Sequence, residues 1–232
     1  MTNCSTPRLT SRPQWLWKHV ALSCVLVSIF LPTVVPINEY FTHHQDARVP
    51  WEISDSSIEG SNEAETPLCI VDRDKWFARP PWRPLGKVKL PVSHVIICHT
   101  ASNFCTNYVE CANELRIMQD KKDLVDIAYN FLVGGDGLAY VGRSWNQTGA
   151  HSYFYKRISI SIAFIGDFTS FVPPETQLNA AKELIKFGVG NGKIALDYKL
   201  LGQRQVVPRT DSPGDALYNE IIKWPHWSSE PR

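Results

Sequence analysis

The 232-residue chain lacks a charge excess. Lys and Arg number 24 against 23 Asp and Glu, a formal net charge of +1. That excludes a dedicated nucleic-acid binder, which shows a strong basic excess or stripe. Cysteine is scarce, and six in the whole chain are too few for a disulfide scaffold. Apolar residues are not in short supply. With 44% hydrophobic and 20% charged residues the chain is not globally disordered, and its length suits one folded domain.

The local absences divide the chain. Residues 1–18 hold no acid but carry Arg8, Arg12 and Lys18. From His19 to Asn38 there is no Asp, Glu, Lys or Arg over 20 residues, about the length that crosses a roughly 30 Å hydrocarbon core as a helix. Pro32 and Pro36 weaken its far end. Residues 39–66 then hold seven acids against Arg48 alone, with no apolar period. Positive charge before the span and acid after it put the N-terminus on the cytoplasmic side. The sequence therefore predicts a cytoplasmic tail (1–18), a transmembrane signal anchor (19–37), an acidic flexible stalk (38–66) and a folded domain (67–230). That is a single-pass type II arrangement in the plasma membrane with the domain extracellular. The competing reading is a cleaved signal peptide, but the run exceeds the usual ~7–15 residue core and no clear small-x-small site follows.

In the domain, VSHVIICHT (92–100) reads as a buried strand. Asn107-x-x-Glu110 is a helix start, with Cys111, Leu115 and Met118 on one face. In an oxidising compartment Cys105 and Cys111 pair naturally. Cys69 has no evident partner and is left as either a free thiol or an interchain bridge. YNFLVGG (129–135), the turn Asp136-Gly137 and LAYVG form a hairpin. ISISIAFIG (158–166) reads as a central strand. Pro173-Pro174 opens a helix that Gly190-Asn191-Gly192 ends. DYKLLGQ (197–203) is a short strand, and Ser212-Pro213 reads as the N-cap and first turn of a helix through Trp224. Strands alternating with helices, one hairpin included, imply an α/β domain with a mixed central sheet flanked by helices.

Between residues 67 and 228 the stretches LPVSHVIICHTA, CTNYVECANELRIMQ, DIAYNFLVGGDGLAYVGRSWNQTGAH, SIAFIGDF, LNAAKELI, YKLLGQRQV and TDSPGDALYNEIIKWPHW occur in this order. In these the chain resembles the peptidoglycan recognition proteins, relatives of the phage-type zinc amidases that cut between muramic acid and the stem peptide. The resemblance implies the family's mixed sheet with flanking helices and an L-shaped groove for a glycan-peptide. It also puts Cys98, Gln203 and Ser212 at the three zinc-ligand positions. A catalytic zinc needs three N, S or carboxylate ligands and an open position for water, and an amide and a hydroxyl are poor zinc ligands. His99 points to the opposite face of the strand from Cys98. Tyr129 and Thr210 match two further groups of the amidase site. The expectation is therefore no catalysis, no metal and no cofactor.

What the groove keeps, by the same resemblance, is contact with peptidoglycan. His99 and Thr100 match wall positions, and Tyr129 and His151 match residues that hold the stem peptide. Arg143 matches the arginine that pairs with the extra carboxylate of meso-diaminopimelic acid, since a guanidinium fork grips a carboxylate bidentately. A salt-bridged surface arginine is the competing reading. Trp145 reads either as a contact or as packing. The chain departs from the family in the shortened MQDKKDLVDIAY segment, in Phe154, which is placed to narrow the cleft, and in Lys156, which replaces an Asn. Asn146-Gln147-Thr148 is an N-glycosylation acceptor near the groove.

Together with the charge-free span at 19–37, the resemblance implies a membrane-anchored, non-catalytic pattern-recognition receptor of innate immunity. Its ligand would be bacterial peptidoglycan or a muropeptide, of diaminopimelic type, and its partners other family members in homo- or heterodimers. The alternatives are a ligand-free regulatory partner of other receptors and, least compatible with positions 98, 203 and 212, a zinc amidase.

Overall fold

In chain order the elements are β1 (Ile70–Val71), β2 (Val92–His99), α1 (Tyr108–Gln119), β3 (Phe131–Val133), β4 (Ala139–Val141), β5 (Ser159–Phe164), α2 (Glu175–Gly190), β6 (Ile194–Gly202), a 3₁₀ turn (Gln203–Gln205) and α3 (Asp215–Ile221). The structure is a computed structural model and describes residues 67–121 and 124–231.

The β-branched runs of β2 and β5 are buried on both faces and occupy the middle of the sheet, as continuous apolar runs should. The strand order is β1-β4-β3-β5-β2-β6. Every neighbouring pair is parallel except the β3–β4 hairpin, so the sheet is mixed as expected. Gly137 takes φ 79° in the hairpin turn, where Asp136 supplies a side-chain acceptor to the Leu138 N–H. Segment 226–228 bonds to Leu200 on the outer edge of β6, which covers part of an otherwise open strand.

The period of two along the strands builds two cores. Val95, Ile97, Phe131 and Ile162 pack with α2 and α3. Ile96, Cys98, Leu132 and Ala163 pack with Cys111, Leu115 and Met118 of α1 and with the fully buried Trp76. The predicted start of α1 is present: Asn107 Oδ1 accepts from the Glu110 N–H (3.1 Å) and Glu110 Oε2 accepts from the Thr106 N–H (2.9 Å). Cys105 and Cys111 are bonded, Cα to Cα 5.1 Å.

Two expectations need correction, and one open alternative is removed. Ser212 does not cap a helix. Its peptide to Pro213 is cis, Gly214 at φ 89° precedes the helix, and α3 runs only from Asp215 to Ile221. Strand β6 begins at Ile194, where it pairs with Val92, rather than at Asp197. Cys69 is disulfide-bonded and not a free thiol. The tail, the span at 19–37 and the stalk lie outside the described residues, and among the described residues no helix is long and apolar enough to cross a membrane.

Candidate functional site

The parallel pairing of β2 with β6 decides which residues meet at the C-terminal ends of these strands. Ile97 pairs with Gly202, so Cys98 and Gln203 follow side by side. The segment before α3 returns to the same place, where Ser212 Oγ accepts from the His99 N–H (3.1 Å). The three positions that resemblance matched to zinc ligands are thus brought together. Their side chains, however, are otherwise engaged. Cys98 is fully buried in the α1-side core, and burial pushes its thiol pKa well above the ordinary value. Gln203 Nε2 donates to the His151 carbonyl (2.8 Å).

A dication at this place would need a thiolate, which burial opposes, and two further Lewis-basic ligands. A carboxamide committed as a donor and a hydroxyl already accepting a backbone N–H do not supply them. The donor set therefore does not fit zinc. Among the described residues no group of three or more His, Cys, Asp or Glu is placed to hold a metal ion.

Around this point stand the other matched residues. Tyr129 O–H donates to the His99 carbonyl (3.4 Å), and burial first, then Cys98, raises its pKa. His99 turns to the other face of β2, where Nδ1 accepts from the Phe168 N–H (3.2 Å). Its Nδ1 also lies 3.7 Å from Asp167, but burial holds its pKa below the usual range, so the contact is not an ion pair at neutral pH. Thr100 Oγ1 accepts from the Gly166 N–H (2.9 Å) and shares a hydrogen bond with Ser102.

His151 is 3% exposed. Ser159 Oγ donates to the Tyr155 carbonyl, so it accepts from His151 Nε2 (2.8 Å). This leaves Nδ1 buried, unprotonated and without a partner. Burial, with Arg143 adding to it, drives the His151 pKa down to about 3.

Arg143 borders a cleft of about 450 Å³ whose walls also include Arg83, Leu124, Val125, Ser152, Tyr153 and Lys156. It is neither a surface ion pair nor a free guanidinium. It is 7% exposed, and three backbone carbonyls hold it: Ile127 on Nε (2.6 Å), Thr148 on Nη1 (2.9 Å) and Asp126 on Nη2 (3.0 Å). Of five guanidinium N–H groups, two remain uncommitted. Burial lowers its pKa while Asp126 opposes the shift, and an arginine stays charged throughout.

Trp145 is turned elsewhere. Its ring packs on Phe131 (4.3 Å) and Phe187 (6.4 Å), between β3 and α2. Phe154 does not narrow this cleft; it is 82% exposed and borders a separate depression with Tyr155 and Gln205. Asn146 is exposed, as a glycan acceptor must be.

Residues that sequence reasoning passed over hold the site in place. Asn130 is fully buried; its Nδ2 donates to the Ser144 and Gln147 carbonyls and its Oδ1 accepts from the Ser161 N–H and Oγ. Asp126 Oδ1 accepts from Gln119 Nε2, the Ile127 N–H and Arg73. A polar residue inside the apolar run YNFLV was the available signal for Asn130; nothing local marked Asp126.

A family model described as N-acetylmuramoyl-L-alanine amidase matches residues 88–215. Peptidoglycan-recognition protein SA of Drosophila melanogaster is 45% identical over 172 residues, covering 72% of this chain and 83% of that protein. Peptidoglycan-recognition protein SD of Drosophila simulans is 41% identical, covering 69% and 88%. Among solved structures, the ectodomain complex of peptidoglycan recognition proteins LCa and LCx with bound tracheal cytotoxin aligns with TM-score 0.67 at 43% identity over 69% of this chain and 99% of the other. Peptidoglycan recognition protein LE in complex with tracheal cytotoxin, a monomeric diaminopimelic acid-type peptidoglycan, aligns with TM-score 0.67 at 40% identity over 69% and 96%.

Proposed function

Because the chain belongs to the peptidoglycan recognition protein family, we propose that it is a non-catalytic receptor for diaminopimelic-type peptidoglycan, anchored in the plasma membrane with its domain outside. The observation that carries the ligand is Arg143. Three carbonyls fix its guanidinium at the wall of a cleft and leave two N–H groups uncommitted. A preorganised, always-charged fork of this kind suits a carboxylate that lysine-type stem peptides lack. Relatives described with tracheal cytotoxin bound support the same ligand class. By resemblance, His99, Thr100, Tyr129 and His151 would serve as contact or supporting residues for the rest of the ligand.

The absence of catalysis rests on Cys98, Gln203 and Ser212, which offer no activated water for Tyr129 and Thr210 to assist. The anchor rests on the charge-free run at 19–37. The complex of the relatives LCa and LCx supports partnership with other family members, and a role in immune signalling is part of the same proposal.

Calorimetric titration of the purified full-length chain with diaminopimelic and lysine muropeptides tests the ligand. A preference for the former that Arg143→Met abolishes is expected. Equal binding of both, or binding of neither, overturns the reading. Metal analysis tests the rest, and a stoichiometric zinc together with cleavage of peptidoglycan would restore the amidase.

A further inference from the structure

Beside Arg143 the same cleft carries cations that the pairing above does not use. Lys156 and Arg83 both border it, and the lining contains no Asp or Glu. Among the described residues neither cation has a carboxylate partner. Each lies instead over an aromatic ring: Lys156 Nζ is 4.8 Å from the centre of Tyr153, and the Arg83 guanidinium is 4.8 Å from Trp82. A ring orients a cation without neutralising its charge. The third feature is independent of charge. Ser152 borders the cleft at 4% exposure, and its buried Oγ finds no hydrogen-bond partner. Buried hydroxyls are seldom left unpaired, and one on a residue that borders a cleft can be satisfied when a ligand supplies the acceptor.

We propose that Lys156, Ser152 Oγ and Arg83 form a second carboxylate subsite in this cleft. The site then selects a stem peptide that keeps a further free carboxylate, beyond the one Arg143 takes, over the same peptide with that group amidated. This rests on the reading of the cleft as the peptide site. Lysine supplies a compact charge and needs no fixed plane, whereas the arginine fork reads geometry. An amide brings no charge, and its NH₂ would oppose the ammonium. Lys156 is thus a specificity-determining residue.

The test is calorimetry on the full-length chain with two probes: γ-D-glutamyl-meso-diaminopimelic acid, and the same peptide with the glutamyl α-carboxylate as its amide. The acid binds about tenfold more tightly, the range of one charge-assisted hydrogen bond. Lys156→Met and Ser152→Ala lower affinity for the acid toward that for the amide and leave the amide unchanged, and Lys156→Arg retains the preference. Because Ser152→Ala removes an unpaired hydroxyl, the unliganded variant keeps its melting temperature, so its lost affinity is not lost folding. Equal affinity of the wild type for both probes overturns this inference, as does a preference that survives Lys156→Met, while the diaminopimelic preference stands. Failure of the wild type to bind either probe or any muropeptide overturns the peptide-site reading and this inference with it.

Discussion

Asn130 joins three segments through one carboxamide, pairing with β5 at Ser161 and with the carbonyls of Ser144 and Gln147 in the loop beyond Arg143. Asn130→Ala orphans those buried groups and costs about 2–4 kcal/mol. Denaturant unfolding measures the loss, and muropeptide affinity falls with it because the Arg143 loop is released. His151 gives a pH dependence. Its folded pKa of about 3 lies below the ordinary 6.5, so between these values the unfolded chain binds a proton that the folded one refuses. Stability therefore falls as pH drops from about 6.5 toward 3, with a slope of at most about 1.4 kcal/mol per pH unit from this group. Unfolding midpoints of wild type and His151→Gln between pH 7 and 4 check this: the variant shows the shallower loss. His99 and His94, also held low by burial, act in the same direction.

Helix starts separate local chemistry from tertiary chemistry. Asn107 accepts from the N–H three residues on, so Asn107→Ala weakens α1 by about 1 kcal/mol. Ser212 looked like the same device. Its hydroxyl instead meets the N–H of His99, 113 positions away, and α3 begins after Gly214. Ser212→Ala consequently acts on β2, leaving the His99 N–H unpaired at about 1–3 kcal/mol. Hydrogen exchange discriminates the two: Asn107→Ala exposes the first turn of α1, and Ser212→Ala exposes the His99 amide while α3 stays protected. The elements legible in the sequence carried their signals within a few residues. The Asp136-Gly137 turn, the apolar run of β5 and the Asn107 cap are of this kind. Strand β1 escaped notice because two residues have no period. Ile70 and Val71 become a strand only by pairing with Ala139 and Tyr140.

At the scale of the molecule, the register of β2 on β6 makes a metal site out of distant positions or leaves it empty of ligands. Restoring Lewis bases there, by Cys98→His, Gln203→His and Ser212→Cys together, is expected to give stoichiometric zinc in metal analysis where the wild type takes none. A triple variant that folds without zinc shows that the surrounding packing, and not the donor set alone, excludes the ion. The sequence by itself determined the alternation of strands and helices, the mixed sheet, the Cys105–Cys111 bond and the residue types at positions 98, 203 and 212. These follow from periodicity, turn chemistry and identity, which act over short separations. Only the tertiary structure decided that Arg143 is clamped by three carbonyls, that Trp145 packs between β3 and α2, that Ser212 serves a strand, and that Lys156 and Ser152 share a cleft with Arg143. The reason is common to all four: a buried polar group or ring takes whichever partner packing brings to it, and that partner's place in the chain leaves no local trace.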